Sequence, residues 1–366
     1  MEITIHTQVL SIAAGIGFVV GAVSSKTNFC TLGAVSDWVN IGDMARMCAW
    51  LLAIAVAILG VTILDTTGLA MIGTNTFPPY QTASFAWLRY LLGGLMFGVG
   101  MTLASGCGNK TLIRIGSGNL KSLAVLVVAS LSAYAMLWTD FYAVAFNPWV
   151  VATSIDLTQQ GFQSQSLAEL FGRSRAVTGG LLGVALLGLV FAARDFRQSK
   201  DAMLGGLIMG LAVTAGWYVT GGALGIQWKE FADFAEMRPL RVETQSLTFV
   251  SPMGDLVHYL SSPRDVSLLN FGIMTMLGVV LGSFFYGAWS RQLRLESFAS
   301  GKDLVNHLIG AVFMGIGGVL AMGCTIGQGV TGVSTLAIGS ILALLAMIAG
   351  AFATMKYLYW RILREG

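Results

Sequence analysis

Charged residues are scarce in this chain. Lys, Arg, Asp and Glu make up 11% of its 366 residues, against about 25% in a soluble domain. With 55% hydrophobic residues and a mean hydropathy of +0.74, that shortage excludes a water-soluble fold and leaves an integral membrane protein. The net charge of +3 is small and dispersed, so no nucleic-acid partner is expected, and the basic residues are better used for reading topology. Cysteine is scarce too. Cys30, Cys48, Cys107 and Cys324 include no C-x-x-C and no metal-ligand spacing, which argues against a disulfide framework or a zinc site; no metal and no cofactor is expected. His6, His258 and His307 do not cluster, and His307, at the start of an apolar stretch, reads as interfacial. No Asp or Glu lies deep in any apolar stretch, so an intramembrane carboxylate proton relay has no support. The N-terminus also lacks the basic n-region and cleavage site of a signal peptide, so the first apolar run is expected to stay in the mature protein.

What the chain does have is nine apolar stretches, near 8–24, 47–64, 87–105, 122–139, 176–193, 202–219, 270–289, 304–322 and 335–355. Each is long enough, at 1.5 Å per residue, to cross about 30 Å of hydrocarbon. The fold class expected is an all-α integral membrane protein forming one membrane domain over 1–366. If all nine stretches cross, one side collects Lys26; Lys110, Arg114 and Lys121; Arg194, Arg197 and Lys200; Arg291, Arg294 and Lys302; and Lys356, Arg361 and Arg364. The positive-inside rule then places the C-terminus in the cytoplasm and the N-terminus outside. The polar connections 140–175 and 220–269 read as extramembrane loops carrying short helices. Trp87, Trp138, Trp217, Trp289 and Trp360 fall near span ends, as aromatic belts do.

Two stretches repeat each other. Aligning Cys107 with Cys324 also matches Leu91 with Leu308, Gly93 with Gly310, Gly98 with Gly315, Gly100 with Gly317, Leu103 with Leu320, Ala104 with Ala321 and Gly106 with Gly323. Earlier in each half, Gly17, Gly21, Thr31, Gly33 and Ala34 match Gly206, Gly210, Thr220, Gly222 and Ala223, with Phe29-Cys30 opposite Tyr218-Val219. A first repeat over 8–139 and a second over 202–355 are thus joined by a connecting helix at 176–193. One connecting span inverts the second repeat, so the breaks at Cys30 and Cys107 enter from the cytoplasmic side and those at Tyr218 and Cys324 from outside.

Non-helical backbone at membrane depth is tolerated only where protein buries it or it lines a polar cavity. Four glycine-rich breaks at related positions therefore point to four loops meeting at a central site. There, glycine lets N–H groups approach a ligand, and a restarting helix offers its positive end to an anion. The glycines inside helices, such as Gly17/Gly21, Gly206/Gly210 and Gly94/Gly98, read as close-packing positions. Cys48 reads as a small buried hydrophobe. Cys30, Cys107 and Cys324 sit at breaks, where a weak S–H donor and soft acceptor suits a polarisable, sulfur-bearing ligand. Supporting candidates are Gly106, Gly108, Asn109, Lys110, Arg114, Tyr218, Thr220, Gly323, Thr325, Gly327 and Gln328. Lys110 and Arg114 fit equally as anion attractors or as topology markers. Catalysis is not expected. On the residues alone two other readings stay open: a pore for another small anion or neutral solute with incidental cysteines, and a membrane thiol oxidoreductase, which would need a paired or resolving cysteine.

The motifs Asn28-Phe-Cys-Thr-Leu-Gly-Ala34, Gly98-Val-Gly-Met101 running into Gly106-Cys107, Arg114-Ile-Gly-Ser-Gly118, Gly216-Trp-Tyr-Val-Thr-Gly221, and Gly315-Ile-Gly-Gly318 running into Gly323-Cys-Thr-Ile-Gly-Gln-Gly329 resemble the YeeE/YedE family of sulfur-compound transporters. The likeness covers nearly the whole chain, although Gly108-Asn-Lys110 is bulkier and more basic than the family's usual run. It implies an hourglass-shaped helical protein of the bacterial inner membrane, in contact with lipid, that takes up thiosulfate or a related sulfur oxyanion. It also implies that Cys30, Cys107 and Cys324 relay the ion through transient S–H···S contacts, and that a small cytoplasmic sulfur-carrier protein of the TusA-like type is a partner.

Overall fold

In hydrocarbon every backbone N–H and C=O must be satisfied within the protein, which makes helices of the long apolar runs. The computed structural model describes residues 4–73 and 75–365. Among the described residues, nine spans are long and apolar enough to cross a membrane, and they fall on the nine stretches expected. Their helices are α1 (Ile5–Thr27), α3 (Ala45–Thr66), α4 (Trp87–Leu103), α6 (Leu120–Trp138), α10 (Arg175–Ala192), α12 (Lys200–Gly221), α15 (Phe271–Trp289), α16 (Gly301–Leu320) and α17 (Ile338–Glu365). Short helices α2 (Thr31–Asn40), α5 (Gly108–Gly116) and α13 (Ala223–Phe234) follow breaks. The connections carry α7 (Phe141–Ala145), α8 (Asn147–Ala152), α9 (Leu167–Leu170), α11 (Arg194–Gln198) and α14 (Val250–Ser261). Among the described residues there are also four two-residue strands: β1 (Thr76–Phe77) pairs in parallel with β4 (Thr244–Gln245), and β2 (Ser84–Phe85) pairs antiparallel with β3 (Ile155–Asp156).

The helices pack as α1 on α15, α3 on α12, and α4 on both α16 and α17, while α16 also packs on α6. Glycine lets these backbones touch. A Cβ at Gly93 would stand 2.4 Å from Ala321 N and 2.9 Å from Gly317 O, and one at Gly310 would stand 2.6 Å from Ala104 N and 2.7 Å from Gly100 O. The atoms met on one side are the alignment partners of those met on the other. Likewise Gly17 and Gly21 lie on the carbonyls of Thr275 and Val279, and Gly206 and Gly210 on those of Ala49 and Ala53. With lipid outside, such close approach replaces the hydrophobic effect as the source of helix association.

The 220–269 connection carries the short helices expected, α13 and α14, and part of it is buried in the protein. Residues Thr244 to Asp255 are buried throughout. They run inward as an extended segment and turn back as α14, whose 12 residues span only about 18 Å. The segment stays polar because its partners are supplied from the spans. Ser246 Oγ donates to Val213 O at 2.7 Å, Thr331 Oγ1 donates to Leu247 O at 2.7 Å, and the Thr220 hydroxyl bonds both Gln245 O (2.5 Å) and Gln245 N (2.9 Å). The 140–175 connection also reaches inward at Gln165, which receives Gly339 N at 3.1 Å and donates to Tyr90 Oη at 3.1 Å.

Candidate functional site

Each cysteine-bearing break has the same local construction. Two residues before the thiol, the chain turns through the left-handed region, at Asn28 (φ 52°), Ser105 (φ 57°) and Met322 (φ 63°). After α4 and α16 this turn is a Schellman closure, with Gly106 N on Met101 O at 2.9 Å and Gly323 N on Gly318 O at 2.8 Å. The cysteine itself is the last residue before a new helix. Its carbonyl takes the first helical bond, from Ala34 N (3.0 Å) at Cys30, Thr111 N (2.9 Å) at Cys107 and Gln328 N (2.7 Å) at Cys324. All three thiols are free and buried, and each stands at the positive end of a short helix. After Cys324 that helix widens to π geometry over Gly327–Gly332.

The fourth break falls later than expected. α12 runs through Tyr218 to Gly221, and Gly222 starts α13, with Ile226 N on Gly222 O at 3.0 Å. The extra turn is held where β4 grips the Thr220 hydroxyl. Tyr218 therefore points away, 51% exposed, and is outside the site, while its neighbour Trp217 is buried and donates to Ser334 Oγ at 3.2 Å. Thr220 is buried and bonded to β4.

The structure brings the remaining candidates together. The Cys30 and Cys107 thiols lie within reach of each other, and Thr325, beside Cys324, lies near Cys107 without bonding it. Gly327 N points at Cys324 Sγ, 3.4 Å away. Gln328 Nε2 closes the turn on Ala321 O at 2.6 Å, against Gly323, and leaves its Oε1 without a partner. Gly106 packs on the Lys110 stem, and Gly108 makes room for Met253 and Phe249. Thr31, Asn109 and Thr325 each bury a side-chain oxygen that finds no hydrogen bond within the protein. Buried polar atoms are nearly always paired, so this cluster is suited to a polar ligand.

Cys30 opens into a cavity of about 930 Å³ whose walls include Arg46, Lys110, Arg114 and Lys356. Lys110 Nζ donates to Asn28 Oδ1 at 3.2 Å and Arg114 Nη1 to Ser105 O at 2.8 Å. The two cations thus brace the left-handed turns ahead of Cys30 and Cys107 while charging the cavity wall. Arg46, which pairs with Asp37 at 2.6 Å, covers Gly33, where a Cβ would meet its guanidinium at 2.4 Å. The sequence reading missed Arg46; its signal was a glycine directly after Cys-Thr-Leu. Among the described residues, no three His, Cys, Asp or Glu side chains converge as a metal site.

A multi-pass helical membrane protein whose broken helices bring three free thiols and unpartnered polar atoms into its interior, beside a basic cavity, has the build of a transporter for a small anion. The chain belongs to the family described as Sulphur transport, whose pattern it matches over residues 26–353. It is 27% identical over 361 residues to a protein named thiosulfate transporter TsuA from Escherichia coli (strain K12), covering 95% of this chain and 94% of that one. It is 23% identical over 355 residues to the thiosulfate transporter TsuA of Spirochaeta thermophila, covering 94% and 98%.

Proposed function

We propose that the protein carries thiosulfate, or a sulfur oxyanion with the same sulfur and oxygen ends, inward across the bacterial inner membrane past Cys324, Cys107 and Cys30 in that order. The observation that supports this most is the row of three free, buried thiols, each at a helix N-terminus. A thiol is a weak, soft partner for a terminal sulfur, and the helix ends favour the negative charge. Stepping between weak sites avoids one tight trap, because conduction needs binding strong enough to enter and weak enough to leave. The basic cavity below Cys30 is then the exit, and it is the surface from which a TusA-like carrier would collect the ion.

In this reading the halves are inverted repeats, and the candidates around the three thiols, without Tyr218 and Thr220, contact the ion. The reciprocal glycine contacts favour the first point. The test is uptake of radiolabelled thiosulfate into proteoliposomes, with sulfate, sulfite and selenite as competitors. Accumulation that sulfate does not match supports the assignment, and its absence refutes it. Reporter fusions are expected to place the N-terminus outside and the C-terminus in the cytoplasm. Both ends on one side would remove the inverted-repeat relation.

A further inference from the structure

Thiols account for only one end of a sulfur oxyanion. Its oxygens are hard acceptors that call for O–H or N–H donors, and a donor already bonded to protein cannot serve without a loss. Among the buried hydroxyls without a hydrogen-bond partner are those of Tyr80 and Thr248, both only 1% exposed. They come from connections far apart in sequence, and each follows one strand of the same pair. β1 and β4 pair in parallel with Thr76 opposite Thr244 and Phe77 opposite Gln245. Tyr80 and Thr248 follow at the same distance beyond that pairing.

Thr248 lies against the Cys324 break and Tyr80 near it. Thr248 Oγ1 sits 2.5 Å from where a Gly327 Cβ would stand, and Gly327 N is the group pointed at Cys324 Sγ. The Phe249 backbone reaches the same thiol. Tyr80 is within electrostatic range of Cys324, and its ring stands edge-on to Trp217, with centroids 6.4 Å apart. The next residue, Gln81, ties this loop to the far side of the break by donating to Thr335 O at 2.7 Å. Outside the strand pair a cavity of about 710 Å³, lined by Thr76, Phe77, Lys229, Arg238 and Glu243 among others, opens on the face opposite the basic cavity.

We propose that Tyr80 Oη and Thr248 Oγ1 form an oxygen-end subsite beside Cys324, donating hydrogen bonds to the oxygens of the incoming ion while the thiol meets its sulfur. The inference rests on the function proposed above and adds the residues that tell an oxyanion from a bare sulfide. It also gives the inward-running segment a purpose: the segment carries one of the two donors.

The experiment measures thiosulfate uptake into proteoliposomes against concentration for the parent, Tyr80→Phe, Thr248→Val and Thr248→Ser, each at matched incorporation, with inhibition by hydrosulfide measured in parallel. Tyr80→Phe and Thr248→Val keep volume and remove a hydroxyl. Each is expected to raise the half-saturating thiosulfate concentration about tenfold, the worth of one hydrogen bond to a charged group, while hydrosulfide inhibition is unchanged. Thr248→Ser, which restores the donor, is expected to return uptake to near the parental curve. Ser130→Ala, which removes a buried unpartnered hydroxyl on α6, is the control and leaves the curve unmoved. A parent that takes up no thiosulfate overturns the substrate assignment and this subsite with it. A parent that takes it up, with Tyr80→Phe and Thr248→Val on the same curve, overturns the subsite alone. So does an equal weakening of hydrosulfide inhibition, which would mark general damage.

Discussion

Cys107→Ser and Cys324→Ser are each expected to cut thiosulfate uptake at least tenfold while leaving the fold as stable as the parent or more so. The two halves of this expectation share one cause. All three cysteines of the proposed pathway occupy the residue before a helix, where serine is among the preferred residues because its hydroxyl accepts from the second or third helical N–H. At Cys324 that N–H is Gly327's, now 3.4 Å from a poorly accepting sulfur. A serine there binds it and gains stability on the order of 0.5–1 kcal/mol. The hydroxyl thus engaged is less polarisable and less free to meet a passing sulfur atom. Cys30→Ser, nearer the open cavity, is expected to lose several-fold, and Cys48→Ser, inside α3, almost nothing. Uptake per incorporated protein, beside thermal unfolding in detergent, checks both halves. Variants with parental uptake would dismiss the thiol relay. Inactive variants that also melt early would reduce the cysteines to packing.

The second large effect is structural. Asp255 is fully buried and takes Arg241 Nε at 2.5 Å, Arg241 Nη2 at 2.8 Å, Asn270 Nδ2 at 2.9 Å and Trp138 Nε1 at 3.2 Å. Arg241 in turn lies over the Phe77 ring at 4.1 Å, and its carbonyl receives Gln245 Nε2 at 2.6 Å. One carboxylate therefore fixes α14, the start of α15, the end of α6 and both strands of the β1–β4 pair. Asp255→Ala strands a largely buried guanidinium and is expected to cost about 3–5 kcal/mol, read as an early melt in detergent. Asp255→Asn keeps one acceptor oxygen and is expected to lose about half as much. An alanine variant that melts with the parent would show that α14 and the β1–β4 pair do not depend on this network.

How much of this was legible in the sequence differs from element to element, for physical reasons. Hydropathy and the alternation of basic connections mark the nine spans because lipid imposes length and apolarity on each helix separately. The thiol-bearing breaks at Cys107 and Cys324 were legible because glycine interrupts two similar helices at matched positions. Depth was not legible where polar residues are buried against one another. Thr244-Gln-Ser-Leu-Thr248 has the composition of a loop and becomes internal only because Val213, Thr220 and Thr331 supply its partners from other helices. Tyr80 is hidden for the same reason, in a short connection with two prolines before it. The fourth break was misplaced because matched residue identities set the alignment at Tyr218. The Gly221-Gly222 pair marks the end of α12, and the grip of β4 on Thr220 that carries the helix that far is tertiary.

The backbone-to-backbone crossings of α4 with α16, and of α1 and α12 with their partners, bear on how such a molecule can work at all. Bundles that rock past each other in alternating access slide over a layer of side chains, but at Gly93, Gly310, Gly17 and Gly206 no such layer exists. A shift of even an ångström would drive carbonyl oxygens into neighbouring main chain, and close-packed interiors resist that strongly. The helices paired at these crossings are therefore expected to hold together as one body while, on the function proposed above, the ion moves. On that proposal, turnover is expected to follow the lifetimes of contacts at individual side chains more closely than any sliding of one helix of a pair over the other.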